Sequence, residues 1–195
     1  DNISVLKIRG DAQIGQTLKR IGGLQTKGVL GEDKFKLQAV GTKAARIALV
    51  CAQNKGCIES FVIDPYTLPN GVDTMRVTIT VLTASESQDS AEVSLPEYDK
   101  KWNVCAPREK QTMRTSCQAL DKKLNNLDVG QTLKCSSAGR ALETMIVFLF
   151  YLQQEYDEHC TVSHRHTDNV VLTNPNSGRA NKVTTMDVWI TKTAE

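Results

Sequence analysis

Apolar and polar positions alternate loosely along Ile3-Ser4-Val5-Leu6-Lys7-Ile8, which predicts a β-strand. Gly10-Asp11 closes it, with Asp11 placed as a helix N-cap. Ile14, Leu18, Ile21 and Leu24 then recur at helical spacing, so residues 12–24 predict a helix, weakened at Gly22-Gly23. Gly28 to Asp33 reads as a loop, and Phe35-Lys36-Leu37-Gln38-Ala39-Val40 alternates as a second strand. Gly41-Thr42 gives a turn with a cap. Ala44, Ile47, Val50 and Cys51 mark one face of a second helix over residues 43–53, which Asn54-Lys55-Gly56 ends. Two more strands follow, Ile58 to Asp64 and Thr74 to Thr83. The loop Pro65 to Asp73 between them carries Pro65, Pro69 and Asn70-Gly71 as turn residues. The order is β-α-β-α-β-β.

The same order recurs after a break rich in Ser, Glu and Asp. Trp102 to Cys105 predicts a short strand. Met113, Cys117, Leu120 and Leu124 stripe a helix over residues 108–124. Thr132 to Ser136 predicts a strand, Ser137-Ala138-Gly139 a turn, and residues 141–154 a helix. Thr161 to His166 and Val183 to Thr193 are the closing strands, with a long polar loop over residues 167–182. Thr74-Met75-Arg76-Val77-Thr78-Ile79-Thr80 matches Thr185-Met186-Asp187-Val188-Trp189-Ile190-Thr191 at five of seven places. The expected fold class is therefore α/β (α+β), as two tandem modules, each a four-stranded sheet with two helices. Residues 1–85 form the first module, residues 86–100 an acidic linker, and residues 101–195 a second, divergent module.

Charge separates the two copies. The formal net charge is only +2, but residues 1–85 carry eleven Lys/Arg against seven Asp/Glu, whereas residues 111–195 carry nine of each. The first module is the better candidate for an anionic partner. The longest apolar run, Ile146 to Leu152, is far too short to span a bilayer. A helix that is apolar all round must be covered on more than one side. No secretory signal opens the chain, and its start at Asp1 without Met reads as a processed product. The six cysteines form no C-x-x-C pair, and most lie in apolar patterns, so they read as thiols in a reducing compartment. The expected location is intracellular, in the cytoplasm or an organelle such as the mitochondrion.

Catalytic patterns are thin. Gly10-x-x-x-x-Gly15-Gln16-Thr17 follows a strand and opens a helix, as a phosphate-binding loop does. Gln16 stands where such a loop needs Lys, which removes the main counter-charge to the phosphates. His164 and His166 share a strand face near His159-Cys160, but a tetrahedral metal site needs more ligands than these. The expectation is a non-enzymatic protein with no catalytic residue, no metal and no cofactor.

The segment Phe35-Lys36-Leu37-Gln38-Ala39-Val40-Gly41-Thr42-Lys43-Ala44-Ala45-Arg46 resembles the second strand, turn and Ala-rich second helix of Alba proteins. Val5-Leu6-Lys7-Ile8 and Gln38-Ala39-Val40-Gly41 are similar to stage V sporulation protein S, which shares that fold. The resemblance covers residues 1–83. It reaches residues 101–193 only through element order and the last strand. It implies a sheet backed by two helices, pairing between modules, and binding of DNA or RNA. The contacts it implies are Arg9 near the first loop, Lys43 and Arg46 at the turn, and Arg76 beside the final hairpin. In the second copy they are Arg108, Lys110, Arg140, Arg179 and Lys182. Lysine pairs typical of the family's first loop are replaced here by Gly10-Asp11-Ala12-Gln13. Ordinary solvated surface charge is the competing account of the same residues.

The expected function is nucleic-acid binding, RNA before DNA, without a membrane. The alternative is a structural or assembly subunit that uses its modules for protein contacts. The expected partners are RNA and either another protein or the chain's own second module in an intramolecular pseudo-dimer. Large side chains at Ile146, Phe148, Leu149, Phe150 and Leu152 would complement the small Ala44, Ala45, Ala48 and Ala52.

Overall fold

The computed structural model describes residues 2–83, 94–108 and 112–195. The chain divides into two compact units, Asp1–Glu92 and Val93–Glu195. The first holds β1 (Val5–Ile8), α1 (Ile14–Thr26), β2 (Lys34–Val40), α2 (Thr42–Lys55), β3 (Cys57–Thr67) and β4 (Asp73–Leu82). The second holds β5 (Lys100–Asn103), α3 (Met113–Asn125), β6 (Thr132–Ala138), α4 (Ala141–Glu155), β7 (Cys160–Thr173) and β8 (Ala180–Lys192). The fold is α+β: each unit is a four-stranded sheet with two helices, in strand order β1-β2-β4-β3 and β5-β6-β8-β7.

Alternation builds the first sheet. Phe35, Leu37 and Ala39 of β2 are buried, and so are their partners Val81, Ile79 and Val77 on β4. Leu6 and Ile8 of β1 and Phe61 and Ile63 of β3 extend this layer. Burying each such side chain contributes about 1.5–3 kcal/mol before entropy is set against it. On α2, Ala44, Ala45, Ala48 and Ala52 are buried beside Ile47 and Leu49. Small side chains bring that helix close to the sheet. At its end, a Cβ on Gly56 would run into the backbone carbonyl of Leu82, so only glycine fits.

The second unit uses larger groups. On α4, Leu142, Met145, Ile146, Phe148, Leu149 and Leu152 are buried. Phe148 stacks on Trp102 of β5, with ring centroids 5.4 Å apart. Asp121 of α3 ties the two helices together. It accepts hydrogen bonds from Tyr151 Oη at 2.9 Å and from Tyr156 Oη at 2.6 Å. Burial and this carboxylate push the Tyr151 phenol up to about 12, and raise that of Tyr156 likewise.

Several boundaries differ from expectation. The N-cap of α1 is Gln13, with no side-chain cap bond, because Asp11 pairs with Arg9 instead. α1 also runs through Gly22-Gly23 to Thr26. α3 starts at Met113, with Thr112 as its cap. Lys100 already belongs to β5, and Asp99 N donates to Thr132 O at 3.0 Å, so the second unit begins inside the expected linker. Residues 86–93 of that linker lie outside the described residues.

Pro65 lies within β3 rather than in a loop. β3 is an edge strand, and Pro65 faces Met75. Met75 gives its carbonyl to Gly41 N on the other side, at 2.9 Å. The Pro65–Met75 pair is therefore not a hydrogen-bonded one, and the missing proline N–H costs the sheet nothing. The expected polar loop over residues 167–182 is mostly strand. Pairing continues from Asp168–Thr185 out to Thr173–Ala180. The last rung of β6 is Ala138–Thr185, so this hairpin projects past its sheet as a two-stranded arm. No helix among the described residues is long and apolar enough to cross a membrane.

Candidate nucleic-acid interface

The ends of β1 and β2 meet the start of α2 at one end of the first unit. Gly41, at φ 86°, turns the chain from β2 into α2. That left-handed conformation favours glycine. Lys43 is exposed in the first turn of the helix, and Arg46 is half-buried one turn on. The α2 N-terminus has no side-chain cap, and its first-turn N–H groups carry the positive end of the helix dipole. Gly10 lies against this start: a Cβ there would come within 3.8 Å of Lys43 Cβ. The turn after β1 thus brings Arg9 to the same end as Lys43.

The sheet face turned away from the helices completes the cluster. Lys7 pairs with Gln38, and Val40 pairs with Arg76, which in turn pairs with Asp64. The Arg76 guanidinium lies 5.4 Å from the Tyr66 ring centroid and 3.9 Å from Asp64. Arg9 and Asp11 form a 3.3 Å ion pair with both side chains mostly exposed, which adds little to stability. Lys7, Arg9, Asp11, Gln38, Tyr66 and Arg76 line a cavity of about 590 Å³. Three cations and one carboxylate make it a positive basin.

Three of its side chains escaped the sequence reading. Lys7 and Gln38 occupy the polar phase of strands whose apolar phase defined the core. Tyr66 was hidden inside a segment read as a loop because of Pro65.

The second unit spreads its cations out. Gly139 N lies 3.5 Å from Thr184 O, so Arg140, exposed at the start of α4, stands at the root of the arm. Lys182 faces Val171 two residues further out on β8, and Arg179 is in the tip. At about 3.4 Å per residue, Arg179 is roughly 17 Å beyond Thr184. Arg108 lies elsewhere, lining a cavity of about 370 Å³ with Trp102, Ser116, Thr144 and Phe148. Lys110 lies outside the described residues.

On the face of this sheet away from its helices, Lys134 sits between two rings, 4.9 Å from Trp189 and 5.1 Å from Tyr98. His164 meets Trp189 edge-on at 5.3 Å and stacks with His166 at 6.4 Å. The two histidines share a face, as their spacing predicts, and no three His, Cys, Asp or Glu side chains gather as metal ligands among the described residues. All six cysteines are free thiols; Cys51, Cys135 and Cys160 are buried, whereas Cys57 and Cys105 are exposed. Burial pushes the Cys51 thiol up to about 11 and that of Cys135 to about 12, which leaves both protonated and inert at neutral pH.

No protein-family model matches the chain, and no curated protein is significantly similar to it in sequence. The geometry of the two units therefore carries the functional argument.

Proposed function

We propose that this is a non-enzymatic RNA-binding protein of two Alba-like modules, and that the end of the first unit around the α2 start is its principal contact surface. The observation that carries this reading is the convergence of Lys7, Arg9 and Arg76 on one open cavity next to the turn that holds Lys43. Clustered cations neutralise adjacent phosphates and release their counterions. A helix N-terminus adds backbone N–H groups to the same field. The repeated β-α-β-α-β-β order supports the Alba-like assignment. The arm, with Arg179 and Lys182 exposed, is a second and weaker contact.

Arg46, Arg108, Lys110 and Arg140 complete the set of contacts in this reading. Phosphate contacts alone do not distinguish RNA from DNA; the modest net charge of +2 favours single-stranded RNA over the denser charge of duplex DNA. The test is fluorescence anisotropy of the full chain with single-stranded RNA and with duplex DNA of equal length, at matched salt. Tighter binding to the RNA supports the reading. Tighter binding to the duplex overturns the choice of RNA.

A second reading treats the chain as an assembly subunit, with a protein partner or pairing between modules. It rests on the arm, where Val171 is 63% and Leu172 50% exposed. Apolar side chains held outside a core on a projecting hairpin suit a protein contact.

A further inference from the structure

The cavity of the first unit has features that phosphate binding does not require. Its charge selects an anion. Tyr66 and Arg76, stacked at 5.4 Å, also offer it a flat aromatic and guanidinium surface. Planar π systems stack on such surfaces. Gln38 rises from β2 between Lys7 and Thr78 and lines the same space. Its amide both donates and accepts hydrogen bonds, as the edge of a nucleobase does. The cavity is open, and its volume of about 590 Å³ is large enough to seat a small ligand.

The second unit supplies an internal comparison, because strand pairing fixes which positions correspond. Gly41 N donates to Met75 O as Gly139 N does to Thr184 O, and the irregularity of β3 opposite Thr80 and Val81 recurs in β7 opposite Trp189 and Ile190. From these anchors Lys7 corresponds to Asn103, Arg9 to Cys105, Gln38 to Ser136, Arg76 to Thr185 and Tyr66 to Val170. The three cations and the ring are all replaced by uncharged, non-aromatic side chains. The two sheets share a fold, but the surface that suits a planar anion belongs to the first alone.

We infer that this cavity is a nucleotide subsite. A nucleobase stacks on the Tyr66–Arg76 pair with its edge toward Gln38, and its phosphate meets Lys7 and Arg9. The inference rests on the RNA-binding reading, which it deepens: one nucleotide of the bound strand is splayed out of the backbone path and held by its base. A free mononucleotide carries the same chemistry.

The experiment follows amide NMR shifts of the full chain during titration with adenosine 5′-monophosphate and, separately, with a short single-stranded RNA. Shifts concentrated at residues 7–11, 38–41, 66 and 76 are expected with both. Tyr66→Ala should weaken both ligands about tenfold with little change in salt dependence, since it removes stacking and no charge. Tyr66→Phe should restore binding, which separates lost stacking from lost folding.

Mononucleotide binding at these residues without RNA binding supports the subsite and overturns the RNA reading. RNA binding that Lys43→Ala with Arg46→Ala weakens and Tyr66→Ala leaves unchanged overturns the subsite and keeps the RNA reading. Shifts that fall in the second unit, or no binding of either ligand, overturn the subsite.

Discussion

Arg76 and Thr185 occupy the same place in their two sheets. Each faces the last residue of the neighbouring strand, Val40 for Arg76 and Ala138 for Thr185, just before the glycine that leads into a helix. The backbone position is equivalent, while only the first carries a charge. The same substitution at both places therefore tests function with little disturbance of the core.

Arg76→Asp should weaken RNA binding by about tenfold or more, because the basin loses a cation and gains a carboxylate in its place, opposite Asp64. Thr185→Asp should weaken it far less. Equilibrium binding of both variants at one salt concentration checks this. A larger loss for Thr185→Asp than for Arg76→Asp would move the contact surface to the second unit.

Two glycines predict opposite stability effects. Gly56→Ala forces a methyl group into the Leu82 carbonyl, and should cost roughly 1–3 kcal/mol as local overpacking. Gly23 lies inside α1 with nothing within 4 Å of an added Cβ. Gly23→Ala should stabilise by roughly 0.5–1 kcal/mol through helix propensity. Urea denaturation of the two variants beside the parent chain gives both signs in one experiment.

The second unit should lose stability in alkali. The folded state raises the phenols of Tyr151 and Tyr156 and the thiols of Cys117, Cys135 and Cys160, in each case chiefly by burial. A raised folded pKa means that the unfolded chain gives up its protons first. The stabilisation is full below the unfolded values, near 9 to 10, and is lost as pH rises through the folded ones. Tyr151→Phe with Tyr156→Phe should lower the Tm at pH 7, where the Asp121 hydrogen bonds are lost. It should also flatten the fall in Tm between pH 9 and 11.5. An equally steep fall in the variant would remove the tyrosines from this account.

How far the fold could be read from the chain depended on burial. β2, α2 and β4 were legible because one face of each is apolar and the other polar, with Phe35, Leu37 and Ala39 as the clearest phase. The arm was not, since strands exposed on both faces carry no such contrast, and Thr167 to Thr173 read as polar loop. Pro65 misled because a proline breaks central strands but is tolerated on an edge. Arg9, Lys43 and Arg76 were legible as separate basic residues. Their convergence was not, because the approach of Gly10 to the start of α2 is a tertiary contact between distant segments. The repeated strand motif matches Arg76 to Asp187, but the sheets run two residues out of step with that match, and only the pairing register makes Thr185 the counterpart of Arg76.

The most direct measurement of the central claim is the salt dependence of RNA binding by the full chain and by its Lys43→Ala, Arg46→Ala variant. If the first unit holds RNA through phosphates, log affinity falls linearly with log salt, with a slope of about −0.7 per phosphate neutralised on a single strand. The variant should bind about tenfold more weakly at low salt, with a shallower slope by about one to two contacts. Equal affinity and equal slope in the two proteins, with both folded by circular dichroism, would contradict the account.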